Sequence, residues 1–298
     1  MDKKIAILLL CLLVTVASVA LFYININIHI RNRVYNVNTG LTYAEIQRAI
    51  DAPETKNGNT IIIYSGIYHE NVEVTKKLTI KGQDRDSTII ERGHKSVIIL
   101  LIKADNTTVA NLTVQGSTFG IWCLNTTGCK IVGNKVSNCT TAIRLDFSST
   151  TTVKDNNVTV CSLRGIHLYE SFNNTVANND IENIIAQAYG AIHLESSNSN
   201  VVVLNQLVNS TWGIWIDFSS NNKIYHNNFI DNTNQVYSGF SNIWNDDYPS
   251  GGNYWSDYIG VDQKSGPYQN ITGTDGIGDT AYIIDEQTKD QYPLMEPI

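Results

Sequence analysis

The chain has 298 residues, of which 42% are hydrophobic and 16% are charged, and its formal net charge at pH 7 is −7. An acidic chain without a basic cluster lacks the electrostatic footprint of a nucleic-acid-binding protein, so we exclude nucleic acid as a partner. Intrinsic disorder is excluded as well, because isoleucine and valine recur regularly between the many Asn, Thr and Ser residues.

Residues 1–30 form a predicted targeting segment. Lys3 and Lys4 precede an apolar stretch, residues 5–24, whose length matches a bilayer-spanning helix. Two interpretations stay open: an uncleaved signal anchor, favoured because the apolar run continues past Ala20, and a signal peptide cleaved near Ala20. Both predict export, either anchored on the outer face of the cytoplasmic membrane or secreted.

Residues 31–58 are predicted to contain a capping helix. The stretch TYAEIQRAIDA (42–52) places apolar residues on one helical face, and Thr42 and Glu45 have capping-box spacing. Residues 59–82 then read as short strands rich in Ile and Val. A single helix ahead of many strands suits a cap on an all-β body.

Two markers repeat in phase along residues 103–236, and both advance in steps of 22, 23, 26 and 22 residues. The first is a Gly/Ala-Ile pair, at Gly120-Ile121, Ala142-Ile143, Gly165-Ile166, Ala191-Ile192 and Gly213-Ile214. The second is an asparagine flanked by apolar residues, at Asn134, Asn156, Asn179, Asn205 and Asn227. The extra residues of the long step are expected to bulge as a loop around residues 184–189.

A period near 22 residues with several short strands in each unit predicts a β-solenoid. A leucine-rich repeat, which has a similar period, would show a dense leucine pattern that is not present here. The asparagines are expected to stack as a structural ladder at a recurrent turn. We place the solenoid at residues 59–240 and a C-terminal cap with an Asp/Gly-rich loop at residues 241–298.

The repeated NNxV…GIxL coils, the stretch SGIYHENVEVTKKLTIKG and the tail GGNYWSDYIGVDQ…GTDGIGDTAYIID carry a family resemblance. The chain resembles the NosD-like, CASH-type branch of the pectate-lyase-like fold, in its archaeal exported form. That resemblance implies an all-β, right-handed parallel β-helix. It leaves function open, because this fold carries lyases, esterases, hydrolases, adhesins and structural proteins.

The strand after each Gly/Ala-Ile pair is expected to alternate between the core and the outside. The first outward ladder is Trp122, Arg144, His167, His193 and Trp215, and the second is Leu124, Asp146, Tyr169, Glu195 and Asp217, with Glu170 at the adjacent turn. Tryptophan faces stack on sugar rings, and Arg and carboxylates hold polar groups. We therefore expect this face to bind carbohydrate, with an ordinary solvated sheet as the alternative.

Catalysis is a second interpretation of the same face. Glu195 and Asp217 lie on neighbouring coils, roughly 4.8 Å apart at the backbone, and paired carboxyls serve glycosidases. Asp146 lies two coils from Glu195, at the wide end of such pairs. Arg144 beside Asp146 faintly resembles the Arg base of the lyases of this fold.

Metal binding is a third interpretation. NosD-like proteins are linked to copper handling for nitrous-oxide respiration, and the stacked His167 and His193, with Glu195 or Tyr169 as a third ligand, would suit copper. A chain with six His and two Met lacks the clusters of a copper carrier, so copper is disfavoured. Calcium is a separate expectation, at Asp275 and Asp279 of the TDGIGDT loop.

Cys139 and Cys161 each follow a ladder asparagine by five residues, so they are expected to stack on neighbouring coils. In an exported protein they form either a disulfide or a pair of free thiols. Possible N-glycosylation acceptors occur in eight Asn-x-Ser/Thr triplets, at Asn106, Asn111, Asn125, Asn138, Asn157, Asn173, Asn209 and Asn270.

The sequence thus predicts an exported, membrane-anchored β-helix that binds carbohydrate or cell-envelope components, or that serves a structural envelope role. A polysaccharide lyase or hydrolase is the alternative, and copper handling is the second alternative.

Overall fold

A computed structural model describes residues 34–93, 97–286 and 288–298, together with Thr15, Val16 and Ser18. Three long sheets wind around one core, so this part of the chain is a parallel β-solenoid of the right-handed type with about nine coils. The predicted fold class is confirmed to that extent. The predicted anchor or signal helix of residues 1–30 lies almost wholly outside the described residues, among which no helix is long and apolar enough to cross a membrane.

Strands are numbered in chain order. Sheet A contains β1 (Val34–Asn36), β2 (Thr42–Tyr43), β3 (Thr60–Ile63), β6 (Thr79–Gly82), β9 (Thr108–Ala110), β12 (Lys130–Val132), β15 (Thr152–Lys154), β18 (Thr175–Ala177), β21 (Val201–Val203) and β24 (Lys223–Tyr225). Its β1 pairs antiparallel with β2 and β3, and the other neighbours are parallel.

Sheet B contains β4 (Gly66–His69), β7 (Thr88–Glu91), β10 (Thr113–Gln115), β13 (Lys135–Ser137), β16 (Asn157–Thr159), β19 (Asp180–Glu182), β22 (Gln206–Val208), β25 (Asn228–Ile230) and β27 (Tyr254–Trp255). Sheet C contains β5 (Val72–Val74), β8 (Ile98–Ile102), β11 (Phe119–Leu124), β14 (Thr141–Asp146), β17 (Arg164–Tyr169), β20 (Ile192–Glu195), β23 (Trp212–Asp217) and β26 (Asn234–Ser238). Two small hairpins, β28 (Lys264–Ser265) with β29 (Ile271–Thr272) and β30 (Tyr282–Ile283) with β31 (Lys289–Asp290), complete the C-terminal region.

The interior is built from stacked aliphatic side chains. The isoleucine of every Gly/Ala-Ile pair is fully buried, and so is the residue two positions later: Cys123, Leu145, Leu168, Leu194 and Ile216. Glycine is required at some of these pairs, because a Cβ at Gly120 would lie 2.7 Å from the Val136 Cγ1 atom and one at Gly213 would lie 2.7 Å from the Phe229 ring. These glycines mark the point where sheet B turns into sheet C.

The predicted asparagine ladder is present and fully buried. Asn156 is typical: its side-chain amide donates to Asn179 Oδ1 at 2.9 Å and to the Ile131 carbonyl at 2.9 Å, while Asn179 Oδ1 also accepts from the Asn156 backbone N–H. Each asparagine therefore satisfies backbone groups of the preceding coil and donates to the asparagine side chain of the next coil. The ladder continues through Asn227 to Asn253, which accepts from the Asn227 amide at 3.0 Å.

The helix near the N-terminus, α1 (Ile46–Asp51), is shorter than predicted. Thr42 belongs to β2, and Glu45 makes no capping hydrogen bond, so the predicted capping box is wrong. The Glu70 carboxylate, at the end of the first coil, instead accepts from the backbone N–H groups of Ile46 at 2.9 Å and Gln47 at 3.0 Å. A negative charge there favours the N-terminal end of a helix as a local cap would. The buried Ile46, Ala49 and Ile50 join the core.

Candidate functional site

The register of sheet C brings both predicted outward ladders together. Trp122 pairs with Arg144, Arg144 with His167, His167 with His193, and His193 with Trp215. The second ladder follows in the same strands, from Leu124 through Asp146, Tyr169 and Glu195 to Asp217. We call the outward side of β11, β14, β17, β20, β23 and β26 the sheet C face. Its last strand adds Tyr237 beside Trp215.

A third outward position was missed at the sequence level. Phe119, Thr141 and Arg164 are aligned one coil after another, two residues before each inward isoleucine. Strict alternation would point them inward, but the inward-facing glycine or alanine between them and the isoleucine breaks the alternation. The Phe119 ring accordingly contacts Trp122, at 5.0 Å between centroids, and Arg164 reaches His193.

The middle of the face is covered rather than exposed. His167 and His193 are 1% and 0% exposed, and their rings stack at 4.6 Å with an angle of 5° between planes. The bulge predicted from the long repeat step is present, since residues 183–191 contain no strand. Its Tyr189 ring stacks on His193 at 4.6 Å and beneath the Arg164 guanidinium at 3.8 Å. The inserted segment, residues 183–191, therefore covers the His167–His193 pair.

Hydrogen bonds fix the state of His193. Arg164 Nε donates to His193 Nδ1 at 2.8 Å, so this nitrogen is an acceptor. His193 Nε2 consequently carries the proton and donates to Asp217 Oδ2 at 3.3 Å. The indole N–H of Trp215 donates to the same carboxylate oxygen through a short contact. Arg164, His193, Asp217 and Trp215 thus form one connected chain across three strands.

His167 makes the equivalent contact one coil earlier, from its Nε2 to Glu195 Oε2 at 3.0 Å. Burial, aided by the nearby positive charges of Arg164 and Arg144, lowers the pKa of both His167 and His193 to about 2. Both imidazoles are therefore neutral at physiological pH, and their contacts with the carboxylates are hydrogen bonds rather than ion pairs. His167 Nδ1 is buried without a hydrogen-bond partner among the described residues.

Each acid of the second ladder is already engaged. Asp146 Oδ1 accepts from Arg144 Nε at 2.7 Å, while Glu195 and Asp217 accept from the histidines. Burial raises the pKa of Asp146 against the opposing effect of Arg144, and it raises the pKa of Asp217 against the effect of Trp215. The register confirms that Glu195 and Asp217 are neighbours on adjacent coils. Glu170 lies at the turn beside them, with a φ of 45°.

Aromatic side chains border this centre at both ends. The Arg144 guanidinium lies 5.0 Å from the Trp122 ring, and Trp215 stacks on Tyr237 at 4.2 Å. Phe147 and Phe218 are 50% and 72% exposed, and both have left-handed φ values, 51° and 48°. Bulky residues seldom adopt that conformation, and it costs roughly 1–2 kcal/mol. The same turn position is left-handed in five successive coils, at Asn125, Phe147, Glu170, Ser196 and Phe218, so this conformation belongs to the coil. The exposure of the two phenylalanine rings is what makes them available to contact a ligand.

In the expected calcium loop, both aspartates accept hydrogen bonds from backbone N–H groups. Asp275 accepts from the Gly266 and Ile277 backbone N–H groups, and Asp279 accepts from those of Gln263 and Lys264. These hydrogen bonds hold the backbone of the loop together, and calcium binding at Asp275 and Asp279 stays a prediction. Within the described chain, the one cluster with metal-ligand geometry is His167, His193 and Glu195, whose ligand atoms lie within 4.8 Å of one another.

Cys139 and Cys161 lie on neighbouring coils as predicted, and each is a buried thiol. The stacking is shown by the backbone bond from Ser162 N to the Cys139 carbonyl, at 2.9 Å. The two thiols share a hydrogen bond, which raises the pKa of Cys161 and lowers that of Cys139. Both cysteines are free thiols in this structure, and the disulfide between them stays a prediction.

Comparison with known proteins identifies the family of this chain and a relative of it. Residues 54–260 match the family described as "Periplasmic copper-binding protein (NosD)". The chain belongs to the NosD family. A relative of this NosD-family chain is a protein of Methanothermus fervidus named "Cell surface glycoprotein", 32% identical over 315 aligned positions that cover 75% of this chain and 52% of that protein. The chain thus spans about half the length of the curated relative it matches.

Solved structures of other β-rich proteins are more distant. A pectin methylesterase from Yersinia enterocolitica has a TM-score of 0.42 and 14% identity, covering 62% of this chain and 71% of its own. An alginate lyase from Paenibacillus sp. has a TM-score of 0.40 and 13% identity, covering 70% of this chain and 94% of its own.

The histidine cluster of this NosD-family chain is poorly suited to the copper ion named in the family description. Both nitrogens of His193 are occupied, by Arg164 and by Asp217. The guanidinium groups that depress the histidine pKa values would repel a cation in the same way. A copper ion would therefore have to displace Arg164 or Asp217, and the residues as arranged do not fit it.

Proposed function

We propose that this chain is an exported β-solenoid of the cell surface that binds carbohydrate through the sheet C face. Export is supported by the periplasmic family description and by the relative named as a cell surface glycoprotein. The N-terminal segment, residues 1–30, would anchor the chain to the membrane, or would be removed near Ala20. A purely structural envelope role is the competing proposal for the same location.

The observation that carries the carbohydrate proposal is the aromatic border of the face. Trp122, Trp215 and Tyr237 contribute aromatic rings to the face, and the rings of Phe147 and Phe218 are exposed at the adjacent turns. Sugar rings present C–H faces that pack on aromatic rings, with hydroxyls left for polar partners. Arg144 lies over the Trp122 ring and Asp217 accepts from the Trp215 indole N–H, so both are polar partners beside those rings.

A glycan array followed by calorimetric titration tests this proposal. Trp215→Ala and Trp122→Ala should each weaken binding of a captured glycan by about tenfold, in line with the loss of one stacked ring. Tyr268→Ala is the matched control, because Tyr268 is an aromatic residue 85% exposed in the C-terminal region. Absence of any bound glycan, or equal effects of the control and face variants, would contradict the proposal.

Polysaccharide cleavage is the second candidate, favoured by the raised pKa values of Asp146 and Asp217. Assays for new reducing ends and for unsaturated products, run on the glycans that the array identifies, separate an enzyme from a binder. Asp217→Asn should abolish product formation if the chain is a hydrolase. If the chain only binds, neither the wild type nor this variant should release product, and Asp217→Asn should weaken binding by no more than about tenfold.

Copper handling is the remaining alternative, carried by the family description alone. A titration with Cu(I) and Cu(II) should give no more binding to the wild type than to a His167→Phe variant. Tight binding that this variant loses would favour copper over carbohydrate.

A further inference from the structure

Three buried polar atoms of the sheet C face have no hydrogen-bond partner within the described chain: Trp122 Nε1, Thr141 Oγ1 and His167 Nδ1. The Asp146 carboxyl lies near the Trp122 indole, whose N–H lowers the pKa of that carboxyl, which leaves Thr141 and His167 as the two residues without a neighbouring partner. Both residues are 1% exposed. An unpaired buried polar group costs about 1–3 kcal/mol, so each such atom calls for an explanation. Thr141 and His167 lie on adjacent strands, β14 and β17.

The next coil shows how these two positions are related. Thr141 is in register with Arg164, and His167 is in register with His193. One coil later the pair is completed, because Arg164 Nε donates to His193 Nδ1 at 2.8 Å. Thr141 therefore occupies the position from which an arginine would donate to His167. The threonine side chain is shorter, because its γ-oxygen lies two covalent bonds nearer the backbone than the ε-nitrogen of an arginine, and this leaves a gap between Thr141 Oγ1 and His167 Nδ1.

The polarity of these atoms defines what would complete the pair. His167 Nε2 contacts the Glu195 carboxylate and carries the proton, so Nδ1 presents a lone pair. Thr141 Oγ1 can both donate and accept. A hydroxyl placed between them would donate to His167 and accept from Thr141, with two bonds of about 2.8 Å. A carboxylate would be repelled, because its lone pairs would face the lone pair of His167 Nδ1. An ammonium group would also be repelled, because the guanidinium groups of Arg144 and Arg164 are close to His167.

We propose that Thr141 and His167 form a subsite of the sheet C face that binds one hydroxyl group of a neutral polyol ligand. This inference rests on the proposed carbohydrate function and adds the chemical group that is recognised. Arg144, which is in register with His167 and lies over the Phe119 and Trp122 rings, would cover the approach to this subsite. Its side chain would have to swing outward for a sugar hydroxyl to enter.

The first test compares Thr141→Val with the wild type, using neutral hexasaccharides of glucose, mannose and N-acetylglucosamine and a galacturonate hexasaccharide as probes. Removing one hydroxyl partner should weaken the best neutral probe about fivefold. Thr152→Val, the same substitution on β15 of sheet A, should leave affinity unchanged. Preference for the galacturonate probe, or an equal affinity of the Thr141→Val and wild-type proteins, would overturn the inference.

The second test reads the histidine directly by ¹⁵N NMR of the imidazole. Saturation with the best neutral probe should shift the His167 Nδ1 signal as its lone pair accepts a hydrogen bond. In Thr141→Arg the new guanidinium should make that bond without ligand, so the signal should start shifted and should not move on titration. An unmoved His167 signal in a saturated wild type would mean that only a water molecule occupies the position, and would overturn the subsite.

The two proposals fail in different ways. If no probe binds at all and Trp215→Ala has no effect, the carbohydrate function itself fails. If probes bind and depend on Trp215 but ignore Thr141 and leave His167 unmoved, only the hydroxyl subsite fails.

Discussion

The asparagine ladder and the sheet C face are built from the same coils, yet they follow opposite rules. The ladder uses one residue type in coil after coil, and its amides are satisfied by the neighbouring coils. The face changes from coil to coil, from Trp122 through Arg144 and His167 to Trp215, and it retains unpaired atoms. The repeated residues stabilise the stacking of the coils. A ligand would therefore be recognised by the residues that differ from coil to coil, which lie on the sheet C face.

The sharpest way to break the ladder is Asn179→Ala. It removes the acceptor for Asn156 N and Asn156 Nδ2 and the donor to the Val153 carbonyl, all of them buried. Leaving several buried groups unpaired should lower the free energy of unfolding by about 4 kcal/mol. Chemical denaturation measures this loss. Asn178→Gly, at an exposed neighbour with a φ of 50°, should cost less than about 1 kcal/mol; equal costs would contradict the ladder account.

The end of the ladder offers a pH-dependent version of the same test. Asp290 is fully buried, accepts from the Asn253 backbone N–H at 2.7 Å and from the Trp255 indole at 3.0 Å, and burial raises its pKa to about 6. The folded chain therefore holds this proton more tightly than the unfolded chain does. Its contribution to stability is full below about pH 4, falls as the pH rises to about 6, and is constant above that.

Asp290→Asn isolates that contribution. The wild type should lose up to about 3 kcal/mol more than the variant between pH 4 and pH 6, as an upper limit from the pKa difference. Urea unfolding at several pH values measures both proteins. Parallel stability curves for the two proteins across this range would contradict the assignment.

On the face, a loss of binding should come without a loss of stability. Phe218→Gly relieves the left-handed strain, while the added freedom of the unfolded chain offsets part of that gain. The net change in unfolding free energy should stay within about 1 kcal/mol, whereas glycan affinity should fall by about threefold to tenfold. A variant that binds normally would remove Phe218 from the site, and a strongly destabilised variant would show that the ring has a structural role.

The features that recur in every coil could be predicted from the sequence. The 22-residue period located the inward isoleucines, the asparagine ladder and both outward ladders, because a parallel register carries each position from one coil to the next. It did not predict the helix cap, since Glu70 lies 24 residues beyond the helix start that it serves. It also missed Arg164 and Tyr189, because a corner glycine breaks the alternation and an insertion folds back over the face.

Indole NMR tests the central claim most directly, because the chain carries its own controls. Trp122, Trp212 and Trp215 lie on the sheet C face, whereas Trp244 and Trp255 are each 1% exposed and belong to the core. Titration with a glycan captured on the array should shift the indole N–H signals of Trp122 and Trp215 and leave those of Trp244 and Trp255 in place. Binding that shifts none of the face indoles would contradict the account.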